Sequence, residues 1–522
     1  MNNRALRTTL AAFSGLLMAL GLLWLGSAST ALANGTTRYV ATTGKDAGND
    51  CSSYSEPCST IQHAIDQAID DDQILIAGGT YTNAGTVADI TETLTLRGAY
   101  DPSFSGTYPQ LHPTVLDAQG ISSVVEIYLA GDVQLEYLTI TNGDGTGNWG
   151  GSSGVGGGIN AQYSDLVLNH CVISNNVASR QDAGSGGGIF SYFVNTTISN
   201  SQVVSNAGSA DPLTAYTSEA GGIYANGGTL TVFNSHFLDN VGCIGEYGDG
   251  GGMYLNSLGH VDIVSNVIKG NKASTYYDNI ANGGGLYISN SSSVRLEGNR
   301  IQNNCANPAK SGSGGGLYIS NSEVQVSGNR IISNSTGTVD EARPGGGVYI
   351  SSQEPVTLSN NLIAANDADV YGGGVCVSRS ISPAGHTLLV NNTVADNGKT
   401  GIIGQDYMSL TLTNNLIAGH VKGLGVILPV TGSFAADHNL FWNTVNPIVG
   451  SNAVISDPLF FTAYGDGYQL TNDSPALNAG LSIAWLTDDL DGEPRPQEGA
   501  YDIGAYEGAW GGISLPLVLR NH

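Results

Sequence analysis

The chain has 522 residues, 73 of them glycine, with only 12% charged residues and a formal net charge of −26. Glycine at about twice its usual share, with so few charges, predicts many turns and few exposed helices. The acidity argues against nucleic acid and anionic lipid heads as partners, and it disfavours polyanionic glycans unless Ca²⁺ bridges the charges.

Residues 1–33 read as a secretory signal peptide: Arg4 and Arg7 form a basic start, an apolar run spans residues 10–25, and Ala31-Leu32-Ala33 is a small-residue cleavage site. Cleavage after Ala33 makes Asn34 the first mature residue and predicts a secreted, extracellular or cell-surface protein. No later segment has the ~20 consecutive apolar residues that a bilayer requires, so no transmembrane span is predicted in the mature chain. Export permits disulfides. Cys51 and Cys58, close in sequence and just ahead of a helix, are the predicted pair. Cys243 and Cys305 both fall in loops and form a candidate pair. Cys171 sits at a repeat position otherwise held by Asn or Ser and reads as a buried thiol, while Cys376 is unassigned. No Cys or His spacing suggests zinc.

The stretch STIQHAIDQAID, residues 59–70, predicts an amphipathic helix. Ser59 with Gln62 forms a capping box, and Ile61, Ala64, Ile65, Ala68 and Ile69 make one apolar stripe. This helix is expected to cover the N-terminal end of whatever follows. DQILIA, ETLTLRG and VQLEYLTITNG then read as less regular early strands.

An internal repeat dominates the rest. GGGLYISNSSSVRLEGNRIQNN at 283–304 is followed by GGGLYISNSEVQVSGNRIISN at 314–334. The last glycine of each cluster falls at Gly158, Gly188, Gly222, Gly252, Gly285, Gly316, Gly347 and Gly374. An asparagine runs in step at Asn176, Asn206, Asn240, Asn271, Asn304, Asn334, Asn366 and Asn397. The glycine-to-asparagine body has nearly constant length, whereas the stretch back to the next glycine varies. Inside the body, apolar residues alternate: Leu286 and Ile288, then Val294 and Leu296, then Ile301. Period two in three short runs fits no helical repeat. One such coil cannot bury its inner face alone, but stacked coils can. The predicted fold is therefore all-β: a single-stranded, right-handed parallel β-helix with three short strands per coil and the helix as its N-terminal cap. A second column, Asn266, Asn299, Asn329, Asn361 and Asn392, reads as a structural ladder at a turn.

These glycine-tyrosine coils with Asn turns resemble the pectate-lyase-like right-handed parallel β-helix superfamily, over roughly residues 36–425. The C-terminal runs DPLF, YQLTNDSPALNAG, DLDGEPRP and DIGAYE resemble the choice-of-anchor Q domain of bacterial surface proteins. The implied organisation is a signal peptide (1–33), an N-terminal cap with early coils (34–142), glycine-rich coils (143–425), C-terminal coils with the anchor-like domain (426–507) and a tail (508–522). The resemblance implies secretion and surface display. It implies no particular reaction, since this fold hosts lyases, hydrolases, epimerases and adhesins.

In resembling enzymes the substrate cleft lies on the outer face of the strand that follows the variable loop. Here that strand carries Phe190, Tyr224, Tyr254, Tyr287, Tyr318 and Tyr349 in one outward register, with Asn160 and Cys376 at its ends. The neighbouring outward column is mostly Asn and Ser. Neither column holds a carboxylate, Lys, Arg or His, although glycoside hydrolysis usually takes two carboxylates and β-elimination takes a base. The six aromatics are the candidate substrate-binding residues, either as a platform for a polysaccharide or cell-envelope glycan or as a purely structural ladder. Catalytic alternatives lie elsewhere: the loop acids Glu246, Asp249, Asp278, Asp340 and Glu341, or Arg295, Arg300 and Arg330 with Glu297. Asp489 and Asp491 are weak Ca²⁺ candidates, and no other cofactor is expected. The function expected from these residues is non-catalytic glycan or partner binding by a monomer, with a loop-borne lyase or hydrolase as the alternative.

Overall fold

The computed structural model describes residues 35–508, apart from 149–152, 211–216, 245–246, 277–279, 311, 338–343, 369–370, 380–384, 427–431, 446–448, 463–464 and 498. The signal-peptide reading of residues 1–33 and the tail beyond Gly508 fall outside the described residues.

Each coil contributes a strand after the glycine cluster, a second strand after a short corner, and a third after the next corner. In one coil these are Leu286–Ser289, Val294–Glu297 and Arg300–Gln302. Every strand pairs in parallel with its counterpart in the next coil, for example Leu286 with Leu317, Val294 with Val324 and Arg300 with Arg330. Among the described residues the third strands build one fourteen-stranded sheet, and the first and second strands together build one of twenty-four. The alternation is the cause of the coil. Leu286, Ile288, Val294, Leu296 and Ile301 have at most 2% of their surface exposed and join a core cluster running the length of the solenoid. Residues one step along each strand, such as Tyr287 and Arg295, point outward.

Burying the coil's corners requires that their backbone groups be paired. The eight marker asparagines do this as an unbroken ladder. Asn304 Nδ2 donates to Asn334 Oδ1 at 3.0 Å and to the Ile268 carbonyl at 2.9 Å, while the Asn304 backbone N–H also donates to Asn334 Oδ1 at 3.0 Å. The same three bonds recur at Asn206, Asn240, Asn271, Asn334 and Asn366. The second column repeats the pattern, with Asn329 donating to Asn361, Leu296 and Ser327. Each buried group left unpaired would cost about 1–3 kcal/mol, which is why a residue with both donor and acceptor holds these positions.

The N-terminal helix is Ile61–Asp66, with Ile61, Ala64 and Ile65 buried against Val40 and Ile74. Two details differ from the sequence reading. Thr60, not Ser59, is the N-cap, since its hydroxyl accepts the His63 N–H at 3.3 Å. The helix also stops before Ile69, which is 64% exposed and lies off the stripe. Cys51 and Cys58 are joined, with Cα atoms 5.1 Å apart, just ahead of this helix. Cys243 and Cys305 are not joined: the register sets Cys243 beside Ser274, and Ser335 Oγ donates to Cys305 Sγ at 3.2 Å. Cys171 is buried, its thiol near the Leu135 carbonyl at 3.2 Å, and burial pushes it up to about 12.

Beyond the last coil the chain turns back. A short antiparallel pair, Phe460–Phe461 with Gln469–Leu470, leads into a strap that lies across the third-strand face. Outward residues of that face are apolar where the strap covers them. Leu362 and Ala364 pack on Leu490, Ala505 and Tyr506, and Leu416 and Ala418 pack on Leu470, Ala476 and Ile503. Among the described residues, no helix is long and apolar enough to cross a membrane.

Candidate functional site

Phe190, Tyr224, Tyr254, Tyr287, Tyr318 and Tyr349 stand in direct register on six successive coils. Their ring centroids are 5.1, 5.3, 4.8, 4.7 and 4.9 Å apart, with interplanar angles of 5°, 6°, 6°, 5° and 24°. Parallel rings lying edge to edge would need centroids about 6 Å apart or more, because carbon atoms meet at about 3.5 Å. The rings are therefore stacked on one another, each covering much of its neighbour's face. What the column offers outward is ring edges and phenolic oxygens. Phe190 is buried and the five tyrosines are half-buried. Asn226 Nδ2 donates to the Tyr224 hydroxyl at 3.0 Å, and Ser289 Oγ donates to Asn256 Oδ1 at 2.9 Å in the neighbouring column.

The segments just before the glycines also pair from coil to coil. Gly154–Val155, Gly184–Ser185, Thr217–Glu219, Tyr247–Asp249, Ala281–Asn282 and Gly312–Ser313 form a six-stranded sheet. Its register sets Glu219 directly beside Asp249, and Asp249 beside Asn282. A sharp turn then returns the chain to the tyrosine strand. At Gly283 (φ 64°) a Cβ would come within 2.6 Å of the Leu286 carbonyl and 2.8 Å of Tyr287 Cβ, so only glycine fits. The same left-handed turn follows Asp249 at Gly250 (φ 67°) and Glu219 at Ala220 (φ 55°), so both acids stand just ahead of the ladder strand.

Glu219 and Asp249 are both half-buried by surface exposure. Burial pushes the Asp249 carboxyl up to about 7, with Glu219 adding to the rise. Two bonds from Asn282, its N–H at 2.8 Å and its Nδ2 at 3.0 Å, oppose it. Burial also raises Glu219, against a hydrogen bond of 3.0 Å from Ser185 Oγ. Burial raises Tyr254 and Tyr287 as well, and the charges of Glu219 and Asp249 add to it. Glu219 was not singled out from the sequence. Its signal is positional: it stands three residues before Gly222, as Asp249 does before Gly252.

A carboxyl raised in the folded state holds its proton between ~3.9, its unfolded value, and about 7. At this group the native state then binds more protons than the unfolded state, so its contribution to stability is greatest below ~4 and falls as pH rises to about 7. Asp249→Asn is expected to flatten this slope, with a remainder from Glu219. Urea midpoints measured from pH 4 to 8 would check it, and equal slopes in the two proteins would contradict it.

Of the other sequence candidates, the described ones lie elsewhere on the solenoid. Glu246, Asp278, Asp340 and Glu341 fall outside the described residues. Arg295 bonds Asp262 at 2.8 Å and Glu297 at 2.6 Å, a cross-coil charge cluster. Arg300 and Arg330 face the strap instead: Arg330 pairs with Asp466 and, at 2.6 Å, with Asp491. Asp489 accepts the backbone N–H groups of Asp491 and Glu493 at 2.8 Å and of Glu507 at 2.7 Å. With Asp491 paired to Arg330, this segment has the arrangement of a stitched turn.

Residues 123–307 and 272–382 match the family model described as the right handed beta helix region. Among solved structures, the chain is similar to pectate lyase Pel9A, at 13% identity, 90% of this chain, 96% of that chain and a TM-score of 0.36. It is also similar to the A-module of Azotobacter vinelandii mannuronan C-5 epimerase AlgE4, at 16% identity, 72% of this chain, 94% of that chain and a TM-score of 0.41. No curated protein matches the chain. The family match and the coil-by-coil parallel register together identify the chain as a right-handed β-helix protein.

Proposed function

We propose that the protein is exported, displayed on a bacterial cell surface, and holds a neutral glycan along the ladder face without cleaving it. The N-terminal segment and the anchor-like C-terminal runs support export and display. One observation carries the binding reading: six coils present a continuous face of phenol edges, amides and hydroxyls in which neither outward column holds Lys, Arg or His. Such a face suits a polyhydroxylated ligand and offers no counter-charge to a uronate. Because the rings stack on one another, binding there proceeds by hydrogen bonds at their edges more than by sugar stacking.

A second reading has its own observation. Glu219 and Asp249 sit on adjacent coils whose backbones are about 4.8 Å apart. Two adjacent carboxyls, both raised by burial, are the kind of pair from which glycoside hydrolysis draws its acid and its base or nucleophile.

Both readings are tested on the mature protein with neutral oligosaccharides and a reducing-end assay. Binding without new reducing ends, lost in Tyr287→Ala/Tyr318→Ala while the far-ultraviolet circular dichroism is kept, supports the binding reading. New reducing ends abolished by Asp249→Asn would replace it with the hydrolase.

A further inference from the structure

The stacked aromatics do not end at Phe190. Its ring lies parallel to Tyr192 at 6.1 Å, and Tyr192 meets Phe193 at 4.7 Å and Tyr163 at 5.7 Å. Tyr163 in turn lies parallel to Phe193, at 5.9 Å and 7°, and meets Tyr128 edge-on at 6.1 Å. Here the rings emerge. Tyr128 is 50% exposed, Leu129 62%, Tyr163 46% and Phe193 53%.

Leu129, Tyr163 and Phe193 occupy the same corner on three successive coils, all in the left-handed backbone region (φ 53°, 52° and 52°). The following coils fill that corner with Gly227, Ser257, Asn290 and Asn321, also at positive φ. Small and amide residues tolerate this conformation, whereas bulky ones are strained in it. Three consecutive coils thus keep large apolar side chains where the backbone disfavours them and about half of each side chain faces solvent. Burial gives no reason for that choice, whereas a bound ligand would.

The chemistry beside the rings names the ligand. A shallow, open groove is lined by Gly131, Asp132, Tyr163, Ser164, Asp165 and Phe193. Asp132 and Asp165 are in register on adjacent strands, with Asn195 Nδ2 donating to Asp165 at 2.9 Å. No Lys, Arg or His lines the groove. Aromatic surfaces beside hydrogen-bond-accepting carboxylates suit a pyranose, which has apolar C–H faces and hydroxyl donors around its rim. The carboxylates repel a uronate. A cation-binding cage needs rings on several sides, and the two rings that line this groove are parallel.

From this geometry we infer that the corner of Tyr128, Leu129, Tyr163 and Phe193, with Asp132 and Asp165, is a binding site for a neutral glycan. Sugar faces lie against the exposed aromatics, and the two carboxylates accept from sugar hydroxyls. The site shares its ligand class with the ladder reading but none of its residues, so the two stand or fall separately.

The test titrates the mature chain with cellohexaose, mannohexaose, xylohexaose and maltohexaose by saturation-transfer NMR and calorimetry, with trigalacturonate and choline as comparators. Tyr163→Asn/Phe193→Asn uses a residue native to that corner in later coils, so folding is kept. At least one neutral hexasaccharide is expected to bind, the double variant to weaken it more than tenfold, and the thermal midpoint to hold or rise. Asp132→Asn/Asp165→Asn is expected to weaken it several-fold. Failure of all four neutral sugars to bind, unchanged affinity in the aromatic variant, or preference for trigalacturonate or choline overturns the inference. Binding lost in Tyr287→Ala/Tyr318→Ala but kept in the corner variant overturns it too, while leaving the ladder reading in place.

Discussion

Leu296→Asp is expected to unfold the central coils, whereas Arg295→Gln is expected to leave them nearly as stable as the parent. Leu296 is wholly buried and stacks between Ile263 and Val326, both wholly buried as well. Removing a buried leucine costs about 2–5 kcal/mol, and an unpaired buried carboxylate adds several more. The sum approaches the ~5–15 kcal/mol that holds a typical fold together. A solenoid coil has only its two neighbours for support, so the damage spreads along the axis. Arg295, one residue away, keeps 42% of its side chain exposed. Its contacts with Asp262 and Glu297 are surface pairs worth about 0–1 kcal/mol each. Gln is the right control, since Arg295→Asp would set a third carboxylate beside two others. Thermal and urea midpoints distinguish the outcomes, and equal losses would mean that the strand faces the other way.

The reason the coil could be read from sequence lies in its nearly constant body. Between Gly285 and Asn304 the body is one residue longer than between Gly316 and Asn334, so Leu286 and Ile288 align with Leu317 and Ile319 thirty-one residues on, and Leu296 and Ile301 with Val326 and Ile331 thirty residues on. The tyrosine column followed from the same count. The loops could not be aligned, because their lengths differ from coil to coil. Glu219 and Asp249 become neighbours only once the pre-glycine segments are seen to pair. Ring tilt was equally hidden: spacing places a tyrosine on each coil, but the 4.7–5.3 Å centroid distances come from rotamers shared by its neighbours. The partners of Arg330 were out of reach because Asp466 and Asp491 lie more than a hundred residues away in a strap that folds back. The corner residues are not legible in the sequence, because Leu129, Tyr163 and Phe193 look like strand residues and only their positive φ marks them as strained.

Arg495→Met is expected to release the C-terminal strap. Both side chains of the Arg495–Glu507 pair are buried, 0% and 1% exposed, with their atoms 2.6 Å apart. Arg495 also donates to the Gly504 carbonyl at 2.9 Å and to Asn360 Oδ1 at 3.1 Å, which ties the strap to a coil 135 residues earlier. Burial lowers the Arg495 guanidinium, against the charge of Glu507, and raises the Glu507 carboxyl, against the Asp502 backbone N–H at 3.0 Å and the charge of Arg495. Removing one member of such a pair leaves a buried charge without its partner and costs about 3–5 kcal/mol. The strap's remaining hold lies at its contact face: the small clusters around Leu490, Leu486 and Ile503, the partly exposed pairs of Arg330 with Asp466 and Asp491, and hydrogen bonds from Asn391 to the Asp502 and Gly504 carbonyls and from Asn414 to the Leu481 carbonyl. The loss should therefore act locally, peeling residues 480–507 off Leu362, Ala364 and Val390 while the core cluster, which shares none of those three residues, survives. Limited proteolysis should cut the variant within the strap at protease levels that leave the parent intact, with most of the β-sheet signal retained. Arg495→Met/Glu507→Leu should recover part of the protection, since two apolar groups leave no buried charge behind. A parent-like digestion pattern in Arg495→Met would show that the apolar contacts hold the strap by themselves.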